Sequence, residues 1–197
     1  HPRWLAGVVG RYLATEGLPR NANYPARYHA SLVKTKQRVP PKYHESMTWE
    51  YVDRLRAFWP RQLIVKSILS GEEARLAVDH GADAIVVSNH GGRALDSSVT
   101  PIEILPEIVA AVGGKTTVIL DSGIRRGSDV VKAIGRGANL VLIGRSTLYG
   151  TACGGQAGAA KAIGILAGEM ERTFGYTGVR RVSEIGPHIF APRNLGM

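Results

Sequence analysis

The densest chemistry in the chain lies in Ser88-Asn-His-Gly-Gly-Arg93, directly after the apolar run Ala84-Ile-Val-Val87. An imidazole such as that of His90 exchanges a proton near neutral pH. A guanidinium such as that of Arg93 clamps a carboxylate through two parallel hydrogen bonds. The glycines between them allow backbone conformations and ligand approaches that a Cβ would obstruct. A lone histidine in a glycine-rich loop is more often structural than catalytic, so the decision rests on what else the chain places beside it.

Other chemically useful residues recur in the same relation to apolar runs. Lys66 follows Leu63-Ile-Val65; Asp121, Gly123 and Arg125 follow Thr117-Val-Ile-Leu120; Gly144 and Arg145 follow Leu140-Val-Leu-Ile143. Short β-branched runs of this kind read as buried strands. Helical patterns lie between them: Ser70 to His80, whose Ser70-Gly-Glu-Glu73 resembles a capping box; Pro101 to Val112; and Ser128 to Arg136, entered through Gly127. Gly81, Gly113 and Gly137 stand where those helices should stop. Upstream, Met47 to Trp59 has helical spacing and is ended by Pro60, and downstream Ala157 to Phe174 reads as a closing helix. Strands alternating with helices imply parallel pairing with right-handed crossovers. A closed (β/α)₈ barrel takes about 250 residues and eight strands, so about four βα units make either an open sheet or the second half of such a barrel. Useful groups at the C-terminal ends of successive strands favour the half-barrel, where a phosphate commonly sits in the loops after the last two strands.

Composition limits the alternatives. A chain of 197 residues, 44% hydrophobic, can bury one sizeable core. No apolar run approaches the roughly 20 residues needed to span a bilayer, and no stretch has the layout of a secretory signal. Cys153 is the single cysteine, which excludes an intrachain disulfide and a cysteine-cluster metal site and fits a reducing compartment. The net charge of +9 is uneven: residues 1–45 hold eight Lys or Arg against two Glu, a balance of +6. A helix from Pro2 to Thr15, with Trp4, Val8 and Tyr12 on an apolar face, is expected to open this basic segment, and a long irregular connection to follow. Basic residues mixed with aromatics suit an anionic membrane surface or nucleic acid, although a solvated loop has the same composition. Rival motifs fail on spacing. Gly114-Lys115-Thr116 lacks the P-loop glycine five residues earlier and precedes a strand. Gly154-Gly155-Gln-Ala-Gly158 lacks the dinucleotide-binding order of glycines. His1, His29, His44, His80 and His188 have no metal-ligand spacing.

Taken together, Val65-Lys66 with Ile68-Leu69, Ser88-Asn-His-Gly-Gly-Arg93 with Leu95-Asp96, Asp121-Ser-Gly-Ile-Arg125-Arg-Gly127 and Leu142-Ile-Gly144-Arg145 resemble the FMN-dependent 2-hydroxy acid dehydrogenase and oxidase family in order and separation. The resemblance covers nearly all of residues 46–190. It implies the C-terminal half of a TIM barrel over 46–190, a basic loop and helix at 1–45 in the position that membrane-bound members use for membrane contact, and a C-terminal tail at 191–197. It further implies FMN as cofactor and oxidation of an (S)-2-hydroxy acid to the 2-keto acid, electrons passing to a membrane quinone or other carrier, or to oxygen. Within the family, His1-Pro-Arg-Trp4 and Phe58-Trp59-Pro60 look most like the membrane-associated members acting on mandelate or L-lactate.

Carried onto this chain, the resemblance makes His90 the base and Arg93 the anchor of the substrate carboxylate. It sets Lys66 by the N1 and O2 edge of the flavin, where a cation stabilises the reduced ring's negative charge. Ser88 would bond the flavin, Asp121 the ribityl chain, and Gly123, Arg125, Gly144 and Arg145 would surround the phosphate. Whether His90 removes the Cα proton or the hydroxyl proton is left open, since both routes use the same residues. A cytoplasmic enzyme peripheral on the inner face of the cytoplasmic membrane, homo-oligomeric and without nucleic acid, is the corresponding expectation. Two departures stand out: Ser67 replaces the glycine usual after the lysine, and the family's front half is absent, which leaves an open sheet with exposed apolar residues. The competing readings are another FMN-barrel enzyme, such as a flavin-dependent isomerase, and a non-catalytic half-barrel that binds a phosphate.

Overall fold

The computed structural model describes residues 2–17 and 47–191. The basic connection expected to be irregular, with Arg20, Arg27, Lys34, Lys36, Arg38 and Lys42, and the tail from residue 192 lie outside the described residues. The chain forms two units, His1–Met47 and Thr48–Met197. In the first, α1 (Pro2–Trp4), a π-helical segment (Leu5–Gly10) and α2 (Arg11–Thr15) follow one another without a break, over the span expected from sequence. The π segment coincides with Gly7-Val-Val-Gly10, residues of poor helix propensity. Trp4, Leu5, Val8, Tyr12 and Leu13 all remain more than two-fifths exposed.

The second unit begins with α3 (Trp49–Phe58) and continues as β1 (Ile64–Ile68), α4 (Gly71–Asp79), β2 (Ala84–Val87), α5 (Pro101–Val112), β3 (Thr117–Leu120), α6 (Gly127–Gly135), β4 (Leu140–Val141) and α7 (Arg145–Thr177). The four strands pair in parallel in chain order, β1-β2-β3-β4. Alternation along the strands sorts the side chains. Ile85, Val87, Val118 and Leu120 join Ala74, Ala77, Leu105, Ile108, Val112 and Ala133 in the main core. Ala84, Val86 and Ile119 form a smaller cluster of their own. The outer strands remain edges: Ile64 on β1 is 50% exposed and Leu140 on β4 is 55% exposed. The described sheet is thus open, with apolar side chains at its borders.

Local chemistry explains most boundaries. Ser70 Oγ accepts the Glu73 N–H at 3.1 Å to start α4, while the Glu73 carboxylate accepts from Leu69 N. Gly113 ends α5 with φ +55°, a left-handed cap that suits glycine. Asp129 accepts the N–H groups of both Arg125 and Arg126, which pins the backbone entering α6. Three elements differ from the sequence reading. β1 runs on to Ile68, β4 is only two residues long, and α7 starts at Arg145 rather than near Ala157. The glycines expected to precede the closing helix instead kink it, Gly155 having φ +57° and ψ −139°. A glycine also sets the α6–α7 contact: a Cβ on Gly127 would lie 2.3 Å from Leu166 O and 2.4 Å from Met170 N. The Glu169 carboxylate of α7 accepts Gly127 N at 2.7 Å and pairs with Arg126 at 2.8 Å. Those two interactions, the Gly127 bond foremost, hold the Glu169 pKa below the usual carboxylate value.

Candidate active site

The site is built on a β-bulge. Lys66 pairs with Val86 and Ile68 with Val87, so Ser67 is an extra residue in β1, held at φ +77°. A bulge breaks strict in-out alternation and re-aims side chains. Lys66 Nζ donates to Ser88 Oγ at 2.7 Å and pairs with Asp121 Oδ2 at 2.9 Å, joining the ends of β1, β2 and β3. Ser67 Oγ lies 3.3 Å from His90 Nδ1. Ser88 is fully buried, and its hydroxyl also accepts the His90 N–H at 3.2 Å.

Asp121 closes the row. Burial is the largest influence on its carboxyl and raises the pKa, but the hydroxyls of Ser88 and Ser122 and the Lys66 ammonium outweigh it, so the group sits below the usual carboxylate range. Ser122 Oγ donates to Asp121 Oδ1 at 2.7 Å and accepts Gly91 N at 2.9 Å, which ties the loop after β3 to the loop after β2. His90 opens a short 3₁₀ turn, His90–Gly92, whose last N–H is accepted by Asn89 Oδ1 at 3.1 Å. Among the described residues, the non-glycines at positive φ are Ser67, His90 and Ser122, and all three belong to this cluster. Side chains in that region are uncommon and gather at functional sites.

Lys66, His90, Arg93, Asp121, Gly123, Gly144 and Arg145 line one cavity of about 870 Å³. Two of the residues expected from sequence sit elsewhere. Ser88 is buried behind Lys66, and Arg125 lines an adjoining cavity of about 490 Å³ that shares Gly123 and Arg145 with the first. Gly144 caps α7, so the free N–H groups of that helix's first turn lie beside Arg145. Among the described residues, no carboxylate lies within 4.0 Å of the guanidinium of Arg93, Arg125 or Arg145.

The family model of FMN-dependent dehydrogenases matches residues 1–192. The chain belongs to this family. It is 38% identical over 187 residues to (S)-mandelate dehydrogenase of Pseudomonas putida, covering 95% of this chain and 46% of that protein. It is 46% identical over 192 residues to an L-lactate dehydrogenase of Allorhizobium ampelinum, covering 95% and 49%. The crystal structure of a soluble mutant of the membrane-associated (S)-mandelate dehydrogenase from Pseudomonas putida aligns with a TM-score of 0.69 at 43% identity, over 72% of this chain and 40% of that one. The chain therefore spans about half the length of these relatives, and its open four-stranded sheet is part of the family's TIM barrel.

The residues present fit the family's cofactor. A flavin mononucleotide carries a phosphate dianion and a ring that accumulates negative charge on reduction, and the cavity offers matching groups. The open space beside Gly123 and Gly144, where an added Cβ would meet nothing within 4 Å, leaves the backbone accessible to an anion. Arg145, and Arg125 in the adjoining cavity, supply guanidinium groups without a carboxylate partner among the described residues, and Lys66 adds a further cation to the lining. Ser122, Thr147 and Thr151 belong to the lining as well and were not singled out from sequence. The threonines follow from α7 beginning at Arg145, which turns Thr147 and Thr151 to the cavity one helical turn apart.

Proposed function

We propose that this chain is the back half of the barrel of an enzyme that oxidises an (S)-2-hydroxy acid of the mandelate or lactate type to the 2-keto acid. The observation that carries the reading is the convergence of His90, Arg93, Lys66 and Arg145 on one cavity. Bound FMN supplies the two-electron acceptor. In this reading Arg93 holds the substrate carboxylate by a bidentate pair and so fixes the reacting carbon, while His90 takes the proton that leaves during oxidation. Lys66, kept in place by Ser88 and Asp121, presents positive charge to the flavin ring. Gly123, Arg125, Gly144 and Arg145 hold the phosphate, and Asp121 the ribityl chain.

In this reading the electrons pass to a membrane quinone or other carrier, or to oxygen, and the enzyme is peripheral on the inner face of the cytoplasmic membrane and homo-oligomeric. The membrane placement is supported by the +6 balance of residues 1–45, the exposed Trp4, Val8 and Tyr12, and the membrane-associated relative. No described helix is long and apolar enough to cross a membrane. In this division residues 1–45 touch the membrane, 46–190 form the barrel half and 191–197 a tail. Anaerobic mixing of the full-length protein with (S)-mandelate or L-lactate should bleach its flavin absorption and yield the 2-keto acid. Flavin that stays oxidised with both acids would refute the proposal. Sedimentation with anionic vesicles should remove the intact enzyme from solution in a salt-sensitive way, since each basic residue near such a surface contributes about 1 kcal/mol.

A further inference from the structure

We propose that Ser122 is a positioning residue for the carboxylate clamp, holding the turn that ends at Arg93 through the N–H of Gly91. The inference rests on the proposed role of Arg93 and goes beyond it. The backbone N–H groups of the turn His90–Gly92 each meet a side-chain oxygen: His90 N meets Ser88 Oγ at 3.2 Å, Gly91 N meets Ser122 Oγ at 2.9 Å and Gly92 N meets Asn89 Oδ1 at 3.1 Å. Ser88 and Asn89 immediately precede the turn and move with it. Ser122 stands 31 residues away, just past the end of β3, so of these bonds only its own ties the turn to a neighbouring strand. The turn needs that tie. His90, Gly91 and Gly92 have φ of +56°, +75° and +75°, and glycines leave a backbone free to reach many other conformations. Arg93 caps the turn, so a shift at Gly91 reaches the guanidinium within two residues.

The surroundings explain why a hydroxyl serves at 122. Its O–H donates to Asp121 Oδ1 at 2.7 Å, and Asp121 is itself paired with Lys66 at 2.9 Å. With the proton committed to the carboxylate, the oxygen's lone pairs are left to the Gly91 N–H. Gly91 also lies against Arg145, whose Nη2 would be 3.0 Å from an added Cβ, so this one residue meets groups from the chain after β3 and after β4. Ser122 is held at φ +74°, which glycine adopts without steric cost and a side chain does not. A merely tolerated serine and a positioning serine therefore respond differently to Ser122→Gly: both lose the backbone strain, but only the second loses its grip on the turn.

The test compares the full-length, FMN-loaded protein with its Ser122→Gly and Ser122→Ala variants, using oxalate as a carboxylate that has no carbon-bound hydrogen to lose. Loss of one neutral hydrogen bond corresponds to roughly a fivefold effect. The dissociation constant of oxalate, read from the flavin spectrum, should rise by about that factor in both variants, with FMN retained and Ser122→Gly melting no lower than the parent. Hydrogen exchange of the Gly91 amide, followed by NMR, should quicken by a similar factor. A parental value of either quantity in Ser122→Gly would overturn the proposal. A parent protein that does not bind oxalate would instead refute the carboxylate role of Arg93, and the exchange measurement would still decide whether Ser122 holds the turn.

Discussion

Gly127→Ala should damage the enzyme without touching any group that meets substrate. The added methyl would sit 2.3 Å from Leu166 O, 2.4 Å from Met170 N and 2.6 Å from Glu169 Cβ, two of them backbone atoms that no rotamer change can move aside. Ordinary carbon contacts begin about 1 Å farther out, so α6 must shift off α7 by roughly that amount. Overpacking of this kind costs about 1–3 kcal/mol, and a backbone obstacle argues for the upper end. The shift would also stretch the Glu169 bond to Gly127 N and displace Arg125, two residues upstream. Thermal unfolding should therefore fall by several degrees, and FMN should be lost more readily on dilution. Gly164→Ala is the control: it lies in the facing helix α7 with nothing within 4 Å of the new methyl, and should gain about 0.5–1 kcal/mol. Equal melting temperatures for Gly127→Ala and the parent would refute the close-approach argument.

Three further outcomes are expected. Arg145→Met should weaken FMN tenfold or more, since a charge-assisted bond is worth about 1.5–3 kcal/mol, and leave riboflavin affinity nearly unchanged; equal losses in a binding titration would make the arginine structural. Arg93→Ala should raise KM and lower kcat together in steady-state assays, because the carboxylate it is proposed to hold would also orient the reacting carbon. Ionised Glu169 has a lower pKa in the folded protein than its ordinary 4.5, so it stabilises the fold above that value and the contribution disappears as pH falls through the lowered value. The difference in melting temperature between the parent and Glu169→Gln should accordingly shrink on acidification below about pH 4.5.

Where local pattern and tertiary demand agree, the fold was legible from the sequence. β2, β3 and α5 have the expected bounds because β-branched runs and the Pro101 and Gly113 signals leave no competing local choice. The cavity residues were legible for a related reason: parallel strands in chain order bring successive C-terminal ends side by side, so Lys66, His90 and Asp121 converge without any fine detail of packing. Three features were not. The bulge at Ser67 depends on a serine adopting a left-handed backbone, against its propensity. The early start of α7 depends on glycines acting as a kink inside a helix rather than as its boundary. The Ser122 bridge and the Gly127–Glu169 bond join residues 31 and 42 positions apart, which no periodicity encodes.

His90 is proposed as the base of a flavin-dependent 2-hydroxy acid oxidation. Its most direct test is the single-turnover rate of flavin reduction, measured anaerobically for the full-length protein and for His90→Ala. A positioned proton acceptor typically contributes 10²–10⁴-fold. The variant should keep its FMN and be reduced slower by roughly that factor, whereas reduction near the parental rate would show that His90 is not the base.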